Sequence, residues 1–329
     1  MIQGDDLWIR RLSAILQREE TVFRFLYLLR YGSGMTCPRC GGDRMSERWS
    51  RRKLVCLGCR HEVSPLAGTL LHRSHLSLVT WVEAVWLITR SQEPVTALGL
   101  MEELKLGSYR TAWLLLCKIR KAMEPENNRR MAGVIEMNDR VYRGQGGSYE
   151  KTVLLGSLLV AHRGLFRSSE PVKPFLKLAV LTDPDEMRMK GYLLDHISRS
   201  SRILTDEKKL YLLNWLGLNH YRVLERGEEH PPENINRILD STVSALRQIY
   251  VGVPDAHLPL YLNEMVFRFN HREEEDRGFL KLLSLLLESR EYPLSFFRKT
   301  AGRSRFLLQL IDAVLRRDEK RPPETFRRP

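Results

Sequence analysis

Four of the five cysteines in this 329-residue chain fall in two C-x-x-C pairs, Cys37-Pro38-Arg39-Cys40 and Cys56-Leu57-Gly58-Cys59. A C-x-x-C turn folds back so that both sulfurs face one ion, and two such turns complete a tetrahedral thiolate shell for structural Zn2+. Gly41, Gly42 and Gly58 let the backbone turn tightly beside the sulfurs. A single pair arises by chance or serves as a redox dithiol; two at this separation seldom do, and a zinc ribbon is the stronger reading. The loop between the pairs carries Arg44, Arg48, Arg51, Arg52 and Lys53 around Trp49. Arg48, Arg51, Arg52 and Lys53 are therefore candidate phosphate contacts; the plainer alternative is a solvated basic face on a purely structural ribbon. Cys117 sits in the apolar run Trp113-Leu114-Leu115-Leu116-Cys117, where a small buried side chain is expected rather than a reactive thiol.

The elements that position such groups must come from a chain with enough apolar surface. At 43% hydrophobic residues a core is available for two or three domains. Fifty-three Lys and Arg against 40 Asp and Glu give a formal charge of +13, and the sequence pI is near 9.7. That balance favours a polyanionic partner, nucleic acid first. A membrane surface would attract the same charge, but no apolar run reaches the length of about 18 residues needed to span one. The start, MIQGDDLWIRR, lacks a signal-peptide pattern, so a cytoplasmic location is expected.

Leu7 to Leu29 carry apolar residues at roughly helical spacing, closed by Gly32-Ser33-Gly34. Leu76 to Met123 is helical again, and Glu124 to Arg130 reads as a polar linker. Strand-like runs follow at Gly133 to Tyr142, Lys151 to Val160, Phe175 to Thr182 and Arg202 to Thr205, with helices after the later ones, which predicts a mixed α/β sheet. Beyond His230-Pro231-Pro232 the chain reads as helical almost to its end; the leucine-rich stretches Gly278 to Leu287 and Ser304 to Leu315 suit either an interface or core.

Val95 to Leu104 and Tyr109 to Met123 are two helical patterns joined by Lys105-Leu106-Gly107-Ser108, a short turn with a Ser N-cap. Ala112, Leu115, Leu116, Ile119 and Met123 form the inward stripe of the second, leaving Tyr109, Arg110, Lys118 and Lys121 outward. A recognition helix would meet base edges through Tyr109, Arg110 and Thr111 and phosphate through Lys118. An ordinary helical hairpin gives the same stripe; the adjacent ribbon and the charge favour duplex DNA.

Several segments together resemble the zinc-ribbon insertion-sequence transposases of the ISXO-like group. The likeness runs from the ribbon through Gly68-Thr69-Leu70-Leu71-His72-Arg73-Ser74, Leu78 and Trp81, then Ser108 to Trp113 with Lys118-Ile119-Arg120. It resumes at Glu136-Met137-Asn138-Asp139, Leu204-Thr205-Asp206 with Tyr211, Tyr261-Leu262-Asn263-Glu264, and Phe267-Arg268-Phe269-Asn270-His271-Arg272. The resemblance implies an α/β fold with an RNase H-like mixed-sheet core, a DDE-type catalytic domain, over 133–255. Before it would come an N-terminal helical segment (1–30), a zinc ribbon (31–75) and a helix-turn-helix (76–123); after it, a helical extension with a basic tail (256–329). It further implies cleavage and strand transfer at transposon ends of double-stranded DNA, with two Mg2+ or Mn2+ ions held by carboxylates. Holding two ends implies a homodimer, and the location becomes cytoplasmic and nucleoid-associated.

The first core strand of the family usually reads Glu-x-Asp-Glu, so the first ligand position here is Asn138. A carboxamide offers one neutral oxygen and cannot bridge two ions as a carboxylate does. Asp139 faces the other side of the strand, and Glu136 shares the face of Asn138 but lies about 6.6 Å along it. Asp206 matches the second carboxylate, and it is also a natural helix N-cap. The third position belongs on a helix, as Asn-x-x-Glu followed by Lys. An ungapped count back from Gly252 gives Arg237, Asp240 and Arg247, whereas a slip of one places Asn236 an i,i+4 step from Asp240. Asn138, Asp206, Asn236 and Asp240 are thus the expected catalytic set.

The leading expectation is a transposase-lineage protein that binds transposon ends, with strand transfer as the ancestral activity impaired at Asn138. Two readings stand beside it: an active enzyme with an altered metal shell that uses Asn138 or Glu136, and a transposase-derived DNA-binding or regulatory protein without catalysis. All three need the ribbon, so the purified chain is expected to contain about one zinc per molecule. Elemental analysis beside a circular-dichroism spectrum checks this, and a folded, metal-free ribbon would contradict it.

Overall fold

The computed structural model describes residues 18–32, 34–48, 51–91, 94–142, 152–161, 173–182, 186–205, 222–223, 233–250, 253, 255–273 and 275–290. None of its helices is long and apolar enough to cross a membrane. The first helix, α1 (Glu19–Tyr31), opens on Glu19 and Glu20 and closes on Arg30, charges that complement its dipole. It ends at Gly32, whose φ of +56° suits glycine and whose N–H reaches the Leu28 carbonyl at 2.8 Å. Strands β1 (Met45–Arg48), β2 (Lys53–Cys56) and β3 (Glu62–Val63) form a small antiparallel sheet.

That sheet is tied to the helices by polar contacts. The Arg30 guanidinium donates to the Pro65 carbonyl, Tyr31 Oη donates to the same carbonyl at 3.3 Å, and Met35 N donates to Tyr27 Oη at 3.1 Å. Helices α2 (Leu78–Arg90), α3 (Ala97–Glu103) and α4 (Tyr109–Ala122) each begin on a hydroxyl cap. Ser77, Thr96 and Ser108 accept from the amides of Thr80, Gly99 and Thr111 at 2.9, 3.0 and 3.2 Å. The expected linker at 124–130 contains a short helix, α5 (Glu124–Asn128), which Pro125 and two glutamates favour at its start.

The second sheet holds β4 (Val134–Tyr142), β5 (Thr152–Ala161), β6 (Phe175–Thr182), β7 (Arg202–Leu204) and β8 (Arg222–Val223) in the order β6-β5-β4-β7-β8. β4, β5 and β6 are antiparallel neighbours, and β4, β7 and β8 run parallel. Helix α6 (Glu186–His196) makes the crossover from β6 to β7. In order of appearance the strands stand 3-2-1-4-5, the arrangement of an RNase H-like sheet. One face packs Met137, Leu155 and Leu159 on Tyr192 and Leu193 of α6. The other packs Leu154, Leu158, Leu176 and Leu178 on helices α7 (Glu233–Gln248) and α8 (Leu258–His271).

Helix α9 (Glu275–Glu288) returns to the N-terminal layer, where Phe279, Leu282, Leu283 and Leu286 join Val22, Phe23, Trp81, Val85 and Leu116 in one core. The leucines of 278–287 are therefore core residues; 304–315 lies outside the described residues. Residues from both ends of the chain thus complete one helical layer.

Two polar devices join this layer to the large sheet. At the outer edge of β6, Asn270 Oδ1 accepts Leu176 N at 2.8 Å while its Nδ2 donates back to Leu176 O at 3.1 Å. Asn127 does the same at Leu178, with 3.2 and 2.8 Å. Each carboxamide stands where an adjacent strand would pair, so the edge is closed by side chains. Deeper, Arg120 Nε on α4 meets Glu264 Oε2 on α8 at 2.7 Å, with both side chains at most 2% exposed. Arg120 also donates to the Val95 carbonyl at 3.0 Å and lies 4.0 Å from the Tyr261 ring centroid. Removing one partner strands a buried charge, so Glu264→Leu should lower the unfolding free energy by about 3–5 kcal/mol. Adding Arg120→Met should recover most of that loss; denaturant titration of both variants measures it.

Candidate zinc centre and catalytic face

The four cysteine sulfurs lie within 4.8 Å of one another, the only His/Cys/Asp/Glu group among the described residues with metal-site geometry. Cys37 and Cys59 Sγ are 3.7 Å apart, and Cys40 and Cys56 Sγ 3.5 Å. A zinc tetrahedron with bonds of ~2.3 Å has edges of about 3.8 Å, so the thiolates fit the ion. The knuckles are built by Gly41, at φ +72° with its N–H on the Cys37 carbonyl at 2.8 Å, and by Arg60, at φ +62° with its N–H on the Cys56 carbonyl at 3.0 Å. The Cys59 amide directed at Cys56 Sγ lowers that thiol while the neighbouring sulfurs raise Cys40, so the four sulfurs share their protons, which metal binding would release.

The expected DNA contacts separate into two groups. Arg48 and Arg51 are exposed on the ribbon. Arg52 instead pairs with Glu19, whose carboxylate also accepts Leu78 N at 2.7 Å, and Lys53 pairs with Glu62 at 2.6 Å. Arg39, Arg44 and Arg60, beside the two knuckles, are exposed as well.

On α4 only Arg110 of the expected outward row is fully outward, and Tyr109, Lys118 and Lys121 are half-buried. Burial raises the Tyr109 phenol above the ordinary range. Thr111 Oγ1 meets the capping Ser108 Oγ at 2.8 Å. Lys118 Nζ turns inward to the Leu70 carbonyl at 3.2 Å over the Trp81 ring, and Lys121 Nζ pairs with Glu124 at 2.7 Å. The reason is tertiary: α4 shares one core with α1, α2, α3 and α9 and reaches α8 through Arg120, which leaves little of its surface for a groove. Cys117 is fully buried, as its apolar run suggested.

The face of β4 opposite α6 carries Glu136, Asn138 and Arg140, one of every two residues, and each meets α7. Glu136 Oε1 accepts from Asn234 Nδ2 and Oε2 from the Ile235 amide, both at 2.9 Å, so it caps the start of the helix. Asn138 Nδ2 donates to Asn236 Oδ1 at 2.6 Å. Arg140 holds Asp240 in a two-pronged ion pair, Nε to Oδ1 at 2.7 Å and Nη2 to Oδ2 at 3.3 Å. The helix comes this close because Gly156, the β5 partner of Asn138, has no side chain: a Cβ there would stand 2.8 Å from Ile235 Cδ1.

Asn138, Asn236 and Asp240 are thus brought to one face, and Asp206 lies outside the described residues. Among the described groups, Asn138 gives its amide to Asn236 and takes the Asp139 N–H on Oδ1 at 2.9 Å, Glu136 caps a helix, and Asp240 is neutralised by Arg140, so this row offers a divalent ion little free negative charge. Sequence reasoning passed over Arg140 and Asn234. Strand alternation two residues beyond Asn138 was the available signal for the first; nothing local marked the second.

A family model described as a transposase zinc-ribbon domain matches residues 17–62, and one described as an ISXO2-like transposase domain matches residues 133–270. No curated protein and no solved structure matches the chain. The first match covers the four-sulfur ribbon, the second the five-stranded sheet with α6, α7 and nearly all of α8. With both in the order that the sequence resemblance required, the chain belongs to the IS1595 family of transposases.

Proposed function

We propose that the protein binds transposon-end duplex DNA mainly through its zinc ribbon and is impaired in cleavage and strand transfer. The hydrogen bond between Asn138 and Asn236 carries the second half of this reading. Where the ancestral chemistry needs a charged oxygen, this face presents two neutral carboxamides that bind each other. Mg2+ or Mn2+ would supply the charge stabilisation for phosphoryl transfer; Asp206, the expected second carboxylate, lies outside the described residues. A homodimer would hold the two ends.

The DNA-binding half rests on exposed cations. Arg39, Arg44, Arg48, Arg51 and Arg60 stand on a ribbon that the metal makes rigid, and Arg110 stands on α4. Arg52 and Lys53, tied to Glu19 and Glu62, are left out of the contact set. Affinity for duplex DNA should fall steeply with salt, and replacing Arg48 and Arg51 by Gln should flatten the log–log slope by about 2, roughly one unit per lost phosphate contact. Salt-independent binding, or an unchanged slope in the variant, would contradict the assignment.

Catalysis is read by cleavage of transposon-end DNA with Mg2+ or Mn2+. Activity of the natural chain should be weak, and Asn138→Asp should raise it about tenfold or more, equivalent to at least ~1.4 kcal/mol at the transition state. Full activity without the substitution would overturn the impairment. The same carboxamide pair favours one further reading, a DNA-binding or regulatory protein whose site has lost chemistry altogether. Undiminished DNA binding with no cleavage, even in Asn138→Asp, selects it.

A further inference from the structure

We propose that Arg140 is a built-in cation that occupies the place of a divalent ion at Asp240 and keeps the catalytic face closed to metal. This rests on the reading above that the β4–α7 face is the ancestral catalytic face.

Glu136, Asn138 and Arg140 meet α7 in succession, at Asn234 and Ile235, at Asn236, and at Asp240. Asp240 is the only carboxylate that α7 directs to this row among the described residues, and both of its oxygens are engaged by the guanidinium. The Asp240 side chain is 64% exposed and that of Arg140 31%, so a dissolved ion can reach the place; what it meets there is charge. An exposed ion pair is itself worth little. Its effect on a dication is larger, because the ion must displace the guanidinium from the carboxylate or bind beside a fixed positive charge. At a separation of about 5 Å in a water-like medium that repulsion weakens binding about tenfold.

Arginine suits this task. Its planar fork spans both carboxylate oxygens, and its proton is not lost at any pH the protein survives, so mild alkali does not open the site. Restoring Asp at position 138 supplies one ligand charge and leaves Asp240 occupied. Asn138→Asp and Arg140→Ala should therefore act together.

Manganese binding to the full-length, zinc-loaded chain, followed by electron paramagnetic resonance, tests this without reference to cleavage. Asn138→Asp/Arg140→Ala should bind one Mn2+ about tenfold more tightly than Asn138→Asp alone. Asn138→Asp/Arg140→Lys should stay close to the single variant, since a cation is kept, and adding Asp240→Asn to the double variant should abolish the gain. Thermal melting of each variant verifies folding, and Arg140→Lys provides a readout that does not depend on removing the side chain. Equal Mn2+ affinity with and without Arg140, or a gain that survives Asp240→Asn, would overturn the inference. The two readings fail separately. Cleavage that rises in Asn138→Asp while Mn2+ affinity ignores Arg140 refutes only the built-in cation. The Mn2+ pattern described above, together with weak cleavage that Asn138→Asp does not raise even when Arg140→Ala is added, refutes only the assignment of the impairment to Asn138.

Discussion

Taking a guanidinium and a carboxylate out of water costs several kcal/mol for each ion, and the interior returns that cost only where the two meet with good geometry and further hydrogen bonds. Arg120 and Glu264 satisfy the condition, at 2.7 Å, with Val95 O, Arg268 and two tyrosine rings around them. The pair sits where α4 of the helical layer crosses α8 of the sheet layer, so the charges are neutralised only while the layers are docked. Asn263 on the same helix reaches Asn127, and Asn127 in turn closes the β6 edge. The segments 118–120 and 261–272, which carried much of the family likeness, therefore join the two layers and leave the chemistry to other residues.

The same docking explains how the catalytic face tolerates neutral residues. A face with several close carboxylates repels itself unless cations are bound. Here Glu136 is satisfied by the amide end of α7, Asn138 donates to Asn236 and accepts from the Asp139 N–H, and Arg140 balances Asp240. Ile235 and Leu239 pack directly over Gly156. Together these contacts seat α7 on the sheet.

Features set by local spacing were legible in the sequence. The ribbon follows from two C-x-x-C turns, the three N-caps from a hydroxyl before a helical run, and the strands of 134–142, 152–161, 175–182 and 202–204 from dense apolar runs. The two-residue strand Arg222–Val223 carries no such run and was missed. Features set by partners distant in sequence were not legible. Helical periodicity placed Lys118 outward, but the Leu70 carbonyl, 48 residues away, draws it in. The same periodicity left Arg120 without a role, because its partner lies 144 residues on. Asn127 read as part of a polar linker because the edge it closes is formed by a strand about 50 residues later. Asp240 became a candidate from the ungapped count and Asn236 only through a one-residue slip in register, and their direct partners Arg140 and Asn138 emerge only from the fold.

The ribbon and the catalytic face differ in what one substitution does to them. The ribbon strands hold four, four and two residues, and such a sheet cannot bury enough apolar surface to fold alone. A metal on its four sulfurs supplies the missing stability, so loss of one cysteine removes the fold of the ribbon. The β4–α7 face is held by apolar packing of Ile235 and Leu239 of α7 against Leu154 and Leu158 of the sheet, and exchange of a carboxylate for a carboxamide beside it removes charge while leaving that packing intact. Fold and chemistry are therefore coupled in the ribbon and separable on the sheet. That asymmetry means a substitution at Asn138 changes charge on the sheet without touching the ribbon.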